Sequence, residues 1–266
     1  MNGRWWCGAL ALIALVAISG ACATIGPNAG DFNLISLDQE WELGQKLESD
    51  LDKQLRIVPD RAATAALTEL GRRIVRETTL ADRPWTFHIV QDDQVNAFNI
   101  PGGHIYVNTG LIAATDNVSE LAGVMAHEIS HGVARHGTEQ ISRAYGLNIV
   151  AGLVLGQNPE TYKQILAQVA EGGALAKFSR DAEREADRLG LGYMARAGYD
   201  PNGMASMFEE LLARRRGKPG TVAQFFSSHP LTEERIKTVR QLARDLPRPS
   251  AVPSGGYDRL KAVARR

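Results

Sequence analysis

The chain has 266 residues, 44% of them hydrophobic and 23% charged, an ordinary globular composition that suffices for one large domain or two small ones. Lysine plus arginine and aspartate plus glutamate both number 30, so the formal charge is zero. That balance lacks the basic excess that nucleic acid demands of a partner, and none is expected.

Arg4 precedes an apolar run from Ala9 to Ile18, followed by Ser19-Gly20-Ala21-Cys22-Ala23. A positive start, a short apolar run and a small-residue site make an export signal, assigned to residues 1–22. The run is too short to span a bilayer comfortably. Cys22 follows Gly20-Ala21 as the acylated cysteine of a bacterial lipoprotein does, although Ser19 stands where Leu is usual. The alternative is an ordinary Ala-x-Ala site with cleavage after Ala23. Ala23 next to an acylated Cys22, by resemblance to Gram-negative lipoproteins, directs the chain to the outer membrane. The expected location is therefore the periplasm, with a lipid anchor at Cys22 in the outer membrane. The only two cysteines are Cys7, inside the signal, and Cys22. No disulfide framework follows, and any metal site must use histidine and carboxylate.

Residues 23–36 are rich in Gly, Pro and Asn and read as a tether. Helical spacing marks Leu37 to Val58, ended by Pro59, and Ala62 to Glu77. Pro84 to Val90 alternates and reads as a strand. Val95 to Val107 reads as two short strands around Pro101-Gly102-Gly103. A helix starts near Asn117, capped by Asp116 or Ser119, and stops at Gly137. Ile141 to Leu155 reads as a buried core helix. Further helices are expected over Tyr162 to Phe178, Asp181 to Ala197, Pro201 to Arg216 and Leu231 to Leu246, with a loop from Lys218 to Ser228. Residues 247–266 read as a flexible basic tail. The fold class is α+β, mostly helical with one small sheet, and the main domain is placed at 37–246.

His127-Glu128-Ile129-Ser130-His131 carries the chemistry. Two histidines four apart share one helix face and can bind one tetrahedral ion, an arrangement used by zinc proteases. Glu128 projects beside the ion, where it can act as the base toward a water acidified by zinc. Chance gives roughly 0.01 such matches in a chain of this composition. Leu121, Val124, Met125 and Ile129 make the helix apolar around the histidines, so the polar trio needs a partner inside.

A catalytic zinc also needs a third protein ligand. His136 is five residues from His131 and about 140° around a continuous helix, so it points elsewhere and reads as a helix C-cap. Downstream, Glu183 and Asp187 share one face of a helix; spacing alone does not separate Glu183 from Glu185 as a ligand.

Three ordered segments resemble peptidase family M48, the HtpX and CAAX-prenyl-protease type of gluzincin. They are Asn96 to Leu111 (with Pro101-Gly102-Gly103-His104), His127 to His131, and Glu183-Arg184-Glu185-Ala186-Asp187. The resemblance covers roughly residues 40 to 245. It implies a gluzincin-type metalloprotease domain with one zinc ion per chain, held by His127, His131 and Glu183. Glu128 and Asp187 are the implied catalytic positions. Gly103 to Val107 is the implied edge strand beside the cleft, with Asn96 and His104 facing either substrate or structure. His229, in a His-Pro-Leu turn before a helix, is a further catalytic candidate that would plug the zinc or donate to an oxyanion; Arg235 would assist. His88 reads as structural. The chain lacks the multiple membrane helices of embedded family members and the helical repeats of some periplasmic ones.

The function so implied is an exported zinc metalloendopeptidase acting on unfolded or misassembled envelope proteins. The alternative is a metal-bound chaperone or assembly partner of outer-membrane proteins with little proteolysis.

Overall fold

The computed structural model describes residues 32–172 and 177–265. The export signal, Cys22 and the tether up to residue 31 lie outside the described residues. Among the described residues, no helix is long and apolar enough to cross a membrane.

Helix α1 (Leu37–Leu51) opens on a reciprocal cap: Ser36 accepts from the Gln39 amide while the Gln39 side chain accepts from the Ser36 amide. Helix α2 (Arg61–Val75) is capped by Asp60. Strand β1 (Thr86–Val90) follows, then β2 (Ala97–Ile100) and β3 (His104–Asn108). Strands β2 and β3 form an antiparallel hairpin, and β3 also pairs in parallel with β1, Thr86 opposite His104. The order is β1-β3-β2. The strand expected at the edge, Gly103 to Val107, is therefore the central one: the hairpin takes one side of β3 and the parallel pairing with β1 the other.

After α3 (Thr109–Ala114) comes α4 (Val118–Val133), which carries the His-Glu-x-x-His motif. Its cap is Asn117, whose side chain accepts from the amides of Ser119 and Glu120. Every residue of α4 is buried. Small residues allow this. A Cβ on Gly123 would lie 2.6 Å from the Met204 Cα, and one on Gly190 would lie 3.0 Å from the Ala126 carbonyl oxygen. Those glycines let α8 (Asn202–Gly217) and α7 (Arg180–Arg196) close on α4 from two sides.

The helix does not run on to Gly137. It ends at Val133, and Arg135 adopts left-handed backbone angles (φ 58°), so His136 starts a new helix, α5 (His136–Val154). The corner is held by Arg135, which donates to Glu40 at 2.6 Å and to the Ile35 carbonyl at 2.5 Å. Helix α5 breaks again at Gly146, and its second half is only partly buried, contrary to the expected core helix. Helix α6 (Pro159–Gly172) returns beside it. Phe178, expected to end that helix, lies in an irregular segment whose amide donates to the Ser228 carbonyl. The expected loop before His229 holds a 3₁₀ turn (Pro219–Val222) and a short helix, α9 (Ala223–Ser228); α10 (Glu233–Arg244) follows.

The basic tail is not loose. Helix α11 (Tyr257–Val263) buries Leu260 and Val263 against α2 and α3, and Lys261 Nζ donates to the carbonyls of Ile112, Ala113 and Thr115 at the end of α3. Two apolar clusters result. The larger joins α2, α4, α7, α8, α10 and α11; the smaller joins α1, α5 and α6, and the sheet contributes to both. This is the expected α+β class.

Candidate metal centre

Helix α4 points His127 and His131 toward α7, one turn apart, with their Nε2 atoms 3.1 Å from each other. Glu183, in the first turn of α7, brings Oε1 to 3.4 Å from His131 Nε2. His229, just past α9, places Nδ1 at 3.3 Å from His127 Nε2 and 2.9 Å from Glu183 Oε1. These four donor atoms all lie within 4.8 Å of one another. A tetrahedral ion with ligands at about 2.0–2.1 Å has six edges of roughly 3.3 Å, and the four separations given match that length.

Glu128 stands beside this group. Both of its carboxylate oxygens are buried without a hydrogen-bond partner, as is His229 Nε2, 3.5 Å from Glu128 Oε1. The Asn99 side chain donates to the Glu128 backbone carbonyl at 3.0 Å, tying β2 to the motif. A buried carboxylate without a hydrogen bond is costly, and a cation with its water would supply what protein atoms do not. The donor set of imidazoles and carboxylate suits zinc.

A second layer holds the imidazoles. Asp187 Oδ1 lies 3.0 Å from His127 Nδ1. His136 Nδ1 lies 2.8 Å from His131 Nδ1, and its Nε2 is 3.5 Å from Glu185 Oε2. Glu183 and Glu185 are thus separated by direction: one turns to α4, the other to His136. His136 is not the expected cap: the helix breaks at Arg135, so the roughly 140° offset of one continuous helix does not apply to it. Arg235, in the first turn of α10, donates to Asp187 at 2.5 and 2.7 Å and to Glu183. Its guanidinium also lies 4.9 Å from the Phe208 ring centre.

Burial raises the Glu128 carboxyl, with His229 and His127 only partly offsetting it. Burial also acts upward on Glu183, but His229 and Arg235 outweigh it and hold that carboxyl well below its usual range. Asp187 is likewise lowered, because Arg235 and His127 overcome its burial. His131 is driven well below the ordinary imidazole value by burial. Burial pulls His229 down too, yet Glu183 and Glu128 more than reverse that and raise it.

The site is sealed. His127, Glu128, His131 and His229 are 0% exposed and Glu183 1%. Phe178 stacks on His131 with ring centres 4.0 Å apart, and Phe225 lies 5.1 Å from His229. His104 belongs elsewhere, 2.7 Å from Thr86 and 3.1 Å from Glu48, which also holds His88 at 2.7 Å. Asn96 is buried near Gln224, its Nδ2 3.5 Å from that side chain.

Residues 61–243 match the model of Peptidase family M48. Mitochondrial metalloendopeptidase OMA1 of Schizosaccharomyces pombe is 30% identical over 217 residues, covering 80% of this chain and 64% of that protein. The Beta-barrel assembly-enhancing protease of Escherichia coli is 31% identical over 241 residues, covering 86% and 48%. The OMA1 of Arabidopsis thaliana is 36% identical over 161 residues, covering 59% and 31%. The chain spans between about a third and two thirds of the length of these relatives.

Proposed function

The chain belongs to peptidase family M48, a family of metallopeptidases, and from that premise we propose that it is a zinc-dependent endopeptidase of the bacterial envelope. The observation that carries this is the buried cluster of His127, His131, Glu183 and His229, with the Glu128 carboxylate beside it lacking a hydrogen bond.

His127, His131 and Glu183 would hold the ion. Zinc, when bound, supplies a Lewis acid and lowers the pKa of water to about 7. Glu128 takes the proton of the attacking water and passes it to the leaving amine; its raised pKa suits both halves of that task. Asp187 accepts from His127 Nδ1–H, leaving Nε2 free to ligate. Arg235 compensates the negative charge of Glu183 and Asp187 while no ion is present. His229 is the fourth donor. If His229 were a zinc ligand it would have to swing out before substrate enters, and the sealed state would be a latent one. Arg235 would steady the carboxylates through that change.

The substrates are unfolded or misassembled envelope proteins, reached through the export signal and a lipid anchor at Cys22 in the outer membrane. The protease domain, placed at 37–246, takes in α11 as well. The sealed, fourfold site favours a second reading, a metal-bound assembly partner of outer-membrane proteins with little proteolysis.

The test is casein degradation by zinc-loaded wild type, Glu128→Gln and His229→Ala, with metal content read on the same samples. Cleavage by wild type but not by zinc-bearing Glu128→Gln, and faster cleavage by His229→Ala, support the protease. Bound zinc with no cleavage by any variant moves the assembly reading ahead. Absence of bound zinc refutes both.

A further inference from the structure

The second half of α5 presents an apolar face outward. Leu147 is 65% exposed and Leu155 68%, the two most exposed large hydrophobic side chains among the described residues. Ala151 is exposed with them, and these three positions fall on one face at helical spacing after the Gly146 break, with the exposed Asn148 at its edge. Between Arg143 and Glu160 no residue carries a charge. The neighbouring helix behaves differently: α6 turns Glu160, Lys163, Gln164 and Gln168 outward, as a water-facing helix should. The α5 face is thus a departure from the rest of the surface, not a sample of it.

Its place in the fold says what covers it. The described chain begins at Phe32, itself 49% exposed, and at once fastens to α5. Asn33 donates to Thr138 at 2.8 Å and the Leu34 amide donates to Ser142 at 2.9 Å, five residues before Leu147. Cys22 lies ten residues upstream of Phe32, and fully extended that stretch reaches at most about 35 Å. Whatever surface holds the N-terminal segment therefore stands within that distance of α5. Such a tether raises the local concentration, so a few apolar side chains suffice for contact.

We propose that the exposed face of α5, centred on Leu147, Ala151 and Leu155, rests on the lipid bilayer to which the N-terminal segment is attached. The inference rests on the envelope-anchoring reading above. The leucines enter the headgroup and acyl boundary, as the apolar face of an interfacial helix does. The Gly146 break lets this half of α5 lie at its own angle to the first half, which stays fixed to α1 through the Arg135 corner.

The test uses the full chain with Cys7→Ser and Cys22→Ser and a single new cysteine bearing an environment-sensitive dye. Leu147→Cys is compared with Leu242→Cys on α10, which is 36% exposed. Both carry an N-terminal hexahistidine tag that stands in for the anchor by binding nickel-chelating lipid in vesicles of phosphatidylethanolamine and phosphatidylglycerol. The expected result is a blue shift and an emission rise of about twofold or more at position 147, with position 242 unchanged. The proposal is overturned if 147 does not respond, or if both positions respond equally. It is also overturned if 147 responds to protein concentration without vesicles, which means a second copy covers the face. A dye at 147 already blue-shifted before vesicles are added, and indifferent to them, assigns the face to the chain's own apolar leader. Anchoring is judged separately, by incorporation of labelled palmitate at Cys22 in cells, which the dye readout does not require.

Discussion

Arg235→Met is the sharpest perturbation of the site that leaves every candidate ligand in place. Arg235 is 7% exposed and Asp187 3%, and two charge-assisted hydrogen bonds of 2.5 and 2.7 Å join them. Removing the guanidinium leaves Asp187 with His127 and Glu183 with its histidines. Breaking a buried pair from one side costs about 3–5 kcal/mol, whereas replacing both partners by apolar groups is often close to neutral. Arg235→Met and Asp187→Leu should each destabilise the zinc-free protein by about that much. The double variant should cost less than their sum by at least about 2 kcal/mol. With a urea m-value near 3 kcal/mol/M, the single variants lower the unfolding midpoint by about 1–1.7 M. The cost has a pH signature. Glu183 and Asp187 have lowered folded pKa values, so their contribution is fully present above the ordinary carboxylate range. It is lost as pH falls through the folded values, and the Arg235→Met deficit should shrink in acid. Urea unfolding of the four proteins in chelator, at neutral pH and near pH 3, measures all of this. A single-variant cost under about 1 kcal/mol, or strict additivity in the double variant, refutes the coupled-charge account.

Burial pulls His136 down to about 4, from an ordinary value near 6.5. The unfolded chain therefore takes up a proton first, and stability falls as pH drops from about 6.5 to 4, by up to about 3 kcal/mol. His136→Gln should remove that share of the acid limb in zinc-free protein, leaving the share of His131; an unchanged slope speaks against it. Gly123→Ala would put a methyl 2.6 Å from the Met204 backbone and should cost about 1–3 kcal/mol, read as a lowered melting temperature. Leu260→Ala should cost about 2–5 kcal/mol through the α11 contact with α2 and α3. A loss under about 0.5 kcal/mol would mean that α11 is not part of the folded domain.

The sequence makes the centre of the site legible because four-residue spacing on a buried helix leaves little choice of face. His127, Glu128 and His131 needed no long-range information. Choosing Glu183 over Glu185 did: both lie on one amphipathic helix, spacing leaves them equal, and the family resemblance pointed to Glu183 before the packing of α7 on α4 turned it toward the histidines. His136 was misread for a local reason. Arg135 takes left-handed angles that glycine normally marks, and what holds it there is Glu40 and Ile35, about a hundred residues away. Strand β3 was misplaced at the edge because its parallel pairing with β1 is non-local and writes no turn signal. The closing helix was hidden by its charges: the Leu260 and Val263 pair is too short a period to stand out among arginines and lysines.

The His229 turn has a bearing on which part of the chain completes the site. A chain synthesised only as far as Gly172 carries His127, Glu128 and His131 but neither Glu183 nor Arg235, so two imidazoles face each other with no carboxylate to complete a ligand set. Once α7 has emerged, three ligands are present before the segment bearing His229 exists. About forty residues separate Asp187 from His229, so a chain cut short between them would carry His127, His131 and Glu183 without the fourth donor or Arg235. Arrival of α9 and α10 then delivers the fourth donor and the guanidinium together. The segment bearing α9 and α10 thus carries the groups that close the site.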